Sequence, residues 1–217
     1  MLKINFNRSS DTPLKMLCLG AHSDDIEIGC GGTILRLQQE NQNLEVMWVV
    51  FSASGDRENE AIKSANSFLE NVGNKHILTY KHRDGFFPYI ATEIKDSFEE
   101  LKNKFSPDIV FTHYRDDRHQ DHRLISDLTW NTFRNHFILE YEIPKYDGDF
   151  GTPNFFTLLN EEICKKKVEL ILKYFQTQKE KHWLTDETLY SVLRLRGIES
   201  GRDSRYAEGF YSRKASF

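Results

Sequence analysis

A chain of 217 residues encloses one core of ordinary size and is short for two large ones. With 39% hydrophobic residues, 29% charged residues and five prolines it is neither disordered nor collagen-like, and a net charge of -4, from 29 basic and 33 acidic residues mixed along the chain, leaves no broad basic face for a phosphate backbone. No apolar run approaches the roughly 20 residues of a membrane span, and MLKINFNRSSDTPLK at the N-terminus lacks the apolar centre of a signal peptide. The expectation is one globular domain over 1–217 in the cytoplasm, with no nucleic-acid partner and no transmembrane segment.

Residues 1–13 are polar and read as an irregular arm. From Leu14 the run LKMLCLGAH suits a buried strand ending near His22. Gly29 to Gly32 then precede a helix over TILRLQQENQ, closed by Asn41 to Asn43. The pattern repeats: strand 44–53, helix 56–73, strand 76–80, amphipathic helix 93–105, a break at Ser106-Pro107-Asp108, strand 108–114, a helix from about Asp121, and strand 137–143. Nearly continuous apolar strands alternating with helices predict an α/β fold, a mostly parallel sheet with helices on both faces. After the turn-rich KYDGDFGTPN, the helical periodicities at 161–178 and 186–197 read as a C-terminal helical cover.

Three cysteines, Cys18, Cys30 and Cys164, form neither a disulfide framework nor a paired CxxC site and read as reduced packing residues. Of the eight histidines, His113, His119 and His122 share a ten-residue stretch rich in Asp. Ligands of open parallel sheets bind at the C-terminal strand ends, where strand order reverses. Two polar clusters emerge there: His22-Ser23-Asp24-Asp25-Ile26-Glu27, and His113 through His122.

Imidazole and carboxylate suit a divalent transition metal, and a catalytic zinc takes three protein ligands plus water, whose pKa it lowers to about 7. One His and one Asp from the first cluster with one His from the second supply such a set. Asp24 and Asp25 leave the strand end in different directions, so one can bind metal while the other takes a proton. Taken singly, each cluster also reads as a helix cap or a solvated charged turn; the pair at strand ends is much less expected by accident. The GxGG segment superficially suggests a dinucleotide loop, but its spacing is not GxGxxG.

Ala21-His22-Ser23-Asp24-Asp25-Ile26-Glu27 with Gly29-Cys30-Gly31-Gly32-Thr33 resembles the AHPDDxExxxGGT signature of the PIG-L/LmbE-like zinc-dependent N-deacetylases, and His119-Gln120-Asp121-His122 resembles that family's HPDH element. Weaker similarities at Arg57 and Glu60, Asp84-Gly85, Arg196-Gly197 and Ala207-Glu208-Gly209-Phe210 extend the resemblance over roughly Leu14 to Phe210. It implies a Rossmann-like three-layer sandwich whose zinc is held by His22, Asp25 and His122, with Asp24 as general base. It further implies that His119 polarises the acyl oxygen, that Asp121 orients His119 or a neighbouring ring, and that Arg57 and Asp84 contact a sugar. The implied reaction removes an N-acetyl group from an amino-sugar substrate, one zinc per chain. Ser23 and Gln120 replace the usual prolines, and SASGDRENE is shorter than the loop of many relatives. Helix-start and turn roles compete with substrate contact at Arg57 and Asp84.

Two other readings stay open at this point: a two-metal phosphoesterase recruiting Asp116 and Asp117, and a non-catalytic sugar-binding zinc module. Tyr146 to Phe150, with Tyr114, Phe155 and Phe156, reads as core or as an acceptor pocket. The particular substrate is open, as is assembly into a homo-oligomer.

Overall fold

The computed structural model describes residues 4–6, 12–201 and 204–216. Most of the expected arm thus lies outside the described residues; Ile4 to Phe6 are coil, and Phe6 lies against Phe137 and Phe155, with ring centroids 5.6 and 6.4 Å away.

The chain runs β1 (Leu14–His22), α1 (Asp25–Glu40), β2 (Leu44–Ser52), α2 (Asp56–Phe68), β3 (Asn74–Thr79), a 3-10 turn (Phe87–Ile90), α3 (Ala91–Lys104), β4 (Ile109–His113), α4 (Gln120–Thr132), β5 (Phe137–Tyr141), β6 (Phe155–Leu159), α5 (Glu161–Tyr174), α6 (Asp186–Glu199) and β7 (Tyr206–Tyr211). One seven-stranded sheet has the order β3-β2-β1-β4-β5-β7-β6. Its first five strands are parallel, and β7 runs antiparallel to both β5 and β6. The α/β expectation holds.

β1 shows why the sheet must be covered twice. Successive side chains of a strand alternate between faces: Met16 and Cys18 join one core with α1, α2, α5 and α6, while Leu17 and Leu19 join the other with α3 and α4. All four are fully buried. At roughly 25 cal/mol per Å² of apolar surface removed from water, these two layers supply the main drive to fold.

Two expectations need correction. The C-terminal part is more than a helical cover, because β6 and β7 extend the sheet beyond β5. Helix α1 starts at Asp25, so Gly29, Gly31 and Gly32 lie inside it rather than before it. Their role is close approach, as a Cβ at Gly29 would stand 2.1 Å from Tyr141 Cδ2 and one at Gly32 would stand 2.5 Å from Leu159 Cδ1.

A buried ion pair ties this helix to the C-terminal elements. Lys167 of α5 donates to Glu208 of β7 and to the Ile28 carbonyl, both at 2.6 Å, while Glu208 accepts from Gly32 N (2.8 Å), Thr33 N (2.6 Å) and Thr33 Oγ1 (2.5 Å). Cys18, Cys30 and Cys164 are free thiols buried in the same layer, as their count and spacing predicted.

Strand order reverses between β1 and β4, the neighbours at the centre of the sheet. Their C-terminal residues are His22 and His113, so the crevice of the fold opens between the two polar clusters. No helix among the described residues is long and apolar enough to cross a membrane.

Candidate metal centre

Helix α1 begins directly where β1 ends, which fixes His22, Asp24 and Asp25 within one turn. Asp24 is the N-cap residue, yet its side chain makes no capping hydrogen bond. The cap interaction, typically worth about 1 kcal/mol, is forgone; instead Asp24 Oδ1 lies 3.3 Å from the Arg57 guanidinium. Asp25 Oδ2 accepts the His22 backbone N–H at 2.6 Å, and its place in the first helical turn favours the ionised form.

The α4 N-terminus delivers the second cluster. His119 is its N-cap, and Nδ1 accepts the Asp121 backbone N–H at 3.3 Å. That contact leaves the proton on Nε2 in the neutral ring. Asp121 accepts from Gly85 N (2.7 Å) and Phe87 N (3.1 Å), and its Oδ2 lies 3.2 Å from His22 Nε2. Asp84 Oδ1 approaches the same nitrogen at 3.0 Å.

His22, Asp25 and His122 therefore converge. His22 Nδ1 stands 3.2 Å from His122 Nε2 and 3.4 Å from Asp25 Oδ2, and His122 Nε2 stands 3.5 Å from Asp25 Oδ1. The opposite ring nitrogens are held by outer carboxylates: His22 Nε2 by Asp121 and Asp84, and His122 Nδ1 by Asp117 at 2.9 Å. Such outer contacts turn a ring's lone pair toward a metal and fix its tautomer. Two imidazole nitrogens and a carboxylate facing one another are electron-pair donors that only a shared proton or a cation can reconcile. The donor set fits a divalent transition metal. Related groupings with ligand atoms within 4.8 Å of one another are His22, His119 and His122; Asp25, His113 and His122; and His22, Asp84 and Asp121.

Electrostatics separates the neighbouring carboxylates. Burial and repulsion from Asp25 raise the Asp24 pKa, with Arg57 opposing. For Asp25 burial works the same way, but the interactions with the neighbouring His122, His113 and His22 prevail and hold it well below the usual range. Burial disfavours a charged His22, yet Asp25, Asp121 and Asp84 raise it well above an ordinary histidine. Burial, then His113, push His122 down to about 3. Burial and His22 lower His119, and the hydrogen bond to His22 brings Asp84 down to about 2. Burial raises Glu27, which is fully enclosed, well above the carboxylate range.

The structure thus brings together His22, Asp24, Asp25, His119, Asp121 and His122. Arg57 and Asp84 reach the same cluster through Asp24 and His22, and the Asp84 side chain is 60% exposed at its mouth. Sequence reasoning undervalued Asp117, considered only as a ligand for a second ion, and left His113 unassigned. His113 is buried, its ring stacked 3.9 Å from His122, and Nε2 accepts the Ala21 N–H at 2.9 Å. The position of Asp117 five residues before His122 was the available signal.

The model of the PIG-L family, described as GlcNAc-PI de-N-acetylase, matches residues 17–133, over half of the chain. The uncharacterized deacetylase YaiS of Escherichia coli K12 is 28% identical over 170 residues, covering 73% of this chain and 89% of its own length. Among solved structures, the N,N'-diacetylchitobiose deacetylase of Pyrococcus horikoshii superposes with a TM-score of 0.72 at 23% identity, covering 94% of this chain and 85% of that one. GalB, the 4-carboxy-2-hydroxymuconate hydratase of Pseudomonas putida KT2440, superposes with a TM-score of 0.67 at 18% identity, covering 94% and 97%. A hydratase and a deacetylase on one scaffold show that the fold alone does not choose the reaction; the family match does, and the chain belongs to the PIG-L (GlcNAc-PI de-N-acetylase) family and is an N-deacetylase by that membership.

Proposed function

We propose that the protein hydrolyses the N-acetyl group of an amino-sugar substrate, with one zinc held by His22, Asp25 and His122 and with Asp24 as general base. The observation that carries this reading is geometric: ligand atoms of His22, Asp25 and His122 converge within 3.2–3.5 Å of one another, and the adjacent Asp24 stays out of that contact set, held 3.3 Å from the Arg57 guanidinium, free to take a proton beside the metal position. Bound zinc would supply Lewis acidity to the reacting oxygens.

The residues of the chain divide the remaining work. Asp24, oriented by Arg57, takes a proton from the water that adds to the acetamide carbonyl carbon. His119 stays neutral because its pKa is lowered, and it offers Nε2–H to the oxygen that gains negative charge. Asp121 and Asp117 orient His22 and His122 from behind. The C–N bond then breaks, and the proton held by Asp24 passes to the departing amine, leaving acetate. At the mouth, Asp84 accepts hydrogen bonds from sugar hydroxyls, and Arg57 lies beside the same approach.

The two-metal phosphoesterase reading loses support here. Asp117, one of the carboxylates it would recruit, is already engaged by His122 and Lys145. The deciding experiment measures zinc content and acetate release from a panel of N-acetylated sugars and sugar nucleotides, for the wild type and Asp24→Asn. Stoichiometric zinc with activity abolished by the substitution supports the reading; hydrolysis unchanged in the variant, or a protein holding no metal, overturns it.

A further inference from the structure

A chain of buried contacts runs outward from His122 into a loop that the reaction scheme does not use. Asp117 is 1% exposed; its Oδ2 meets His122 Nδ1 at 2.9 Å, and its Oδ1 accepts the His119 backbone N–H at 2.7 Å. The same Oδ2 meets Lys145 Nζ at 2.9 Å, and this ammonium also reaches Asp149 Oδ1 at 2.7 Å. Asp149 Oδ2 in turn accepts the Arg118 backbone N–H at 2.6 Å. Lys145 and Asp149 both lie on the connection from β5 to β6, and the side chain of Lys145 is only 10% exposed. This segment turns at Gly148, which has φ +57°, and carries the exposed ring of Tyr146.

We propose that Lys145 is a positioning residue that couples the 144–151 loop to the ligand face of His122 through Asp117, so that metal occupancy and order of the loop favour each other. The ammonium holds Asp117 in the orientation that turns His122 Nε2 inward, and the same contact pins the loop to the 114–119 segment. A cation on His122 stiffens that ring and the contacts behind it, and by linkage whatever orders the loop tightens the cation. The inference rests on the metal-site reading above and extends it to a surface loop beside the mouth.

The test uses the full-length protein with zinc as the probe. Zinc affinity is measured by chelator competition, and amide exchange of residues 144–151 is followed with and without zinc, for the wild type, Lys145→Met, Lys145→Arg and Asp149→Asn. In the wild type zinc slows exchange in the loop. Lys145→Met loses about tenfold in zinc affinity, the low end of what changes behind a ligand cost, and its loop no longer responds to zinc while exchange in α5 matches the wild type. Lys145→Arg restores part of both, and Asp149→Asn shows a smaller loss in the same direction. Wild-type affinity in a folded Lys145→Met, or a wild-type loop indifferent to zinc, overturns the coupling alone. Should Lys145→Met fail to fold, Asp149→Asn decides, and unchanged affinity with unchanged loop exchange overturns the proposal. A wild-type protein that holds no zinc overturns the metal-site reading and the coupling together.

Discussion

Helix α1 carries two clusters of buried charge, one at its N-terminus and one at its middle, and they are built on opposite plans. At the middle, one cation meets one anion: Lys167 and Glu208 each have side chains 3% exposed, and hydrogen bonds to α1 complete the pair. At the N-terminus, Asp24 and Asp25 are adjacent like charges moved in opposite directions, and His22 and His122 are likewise moved apart. A balanced cluster needs nothing further and serves as a splint. A cluster whose members are driven apart in proton affinity matches the reaction proposed for this end of the helix.

Substitutions sharpen that contrast. The largest effect is expected at the unbalanced end: Asp24→Asn lowers turnover about 10²–10⁴-fold, with zinc content and thermal midpoint near the wild type. Glu208→Gln leaves Lys167 buried without its counter-charge and costs about 3–5 kcal/mol in denaturant unfolding, while turnover of the folded protein stays close to normal. If a folded Glu208→Gln lost turnover as completely as Asp24→Asn, the distinction between splint and site would collapse. Gly29→Ala drives a methyl into Tyr141 and costs about 1–3 kcal/mol in the same measurement.

The smallest effect is a displacement of the pH profile. Asp24 must be ionised to accept a proton, so kcat/KM rises with pH through its pKa, and burial together with the Asp25 charge moves that limb upward from the ordinary aspartate position. The Arg57 charge pulls it down, hence Arg57→Met moves the limb to higher pH. An acidic limb that stays in place in this variant would separate Arg57 from the base.

The parallel half of the sheet was readable because β1, β2 and β4 are buried on both faces and show as nearly continuous apolar runs. From there the placement of His22 and His122 at one rim followed from topology. The antiparallel edge was not readable. β6 is short and half-buried, and β7 carries Glu208 and Gly209 within six residues. Burial of Glu208 makes sense only through partners distant in the chain, Lys167 at 41 residues and Gly32 and Thr33 at 176 and 175. Helix α1 was begun too late because glycine is a poor helix former in isolation, whereas here contact with Tyr141 and Leu159 demands it. Lys145 escaped notice, and Asp117 was read only as a ligand for a second ion, for a similar reason, as 28 residues separate the two and only the fold joins them.

The three enclosed thiols have a practical consequence. Burial raises Cys30 well above a free thiol and Cys164 to about 12, and Cys18 is fully buried beside them. Thiolate, the form that reacts with alkylating reagents, is therefore scarce and out of reach in the native state. Labelling has to wait for the α1 layer to open. Its rate in dilute reagent is an intrinsic clock for that opening, available without an engineered probe and independent of any substrate.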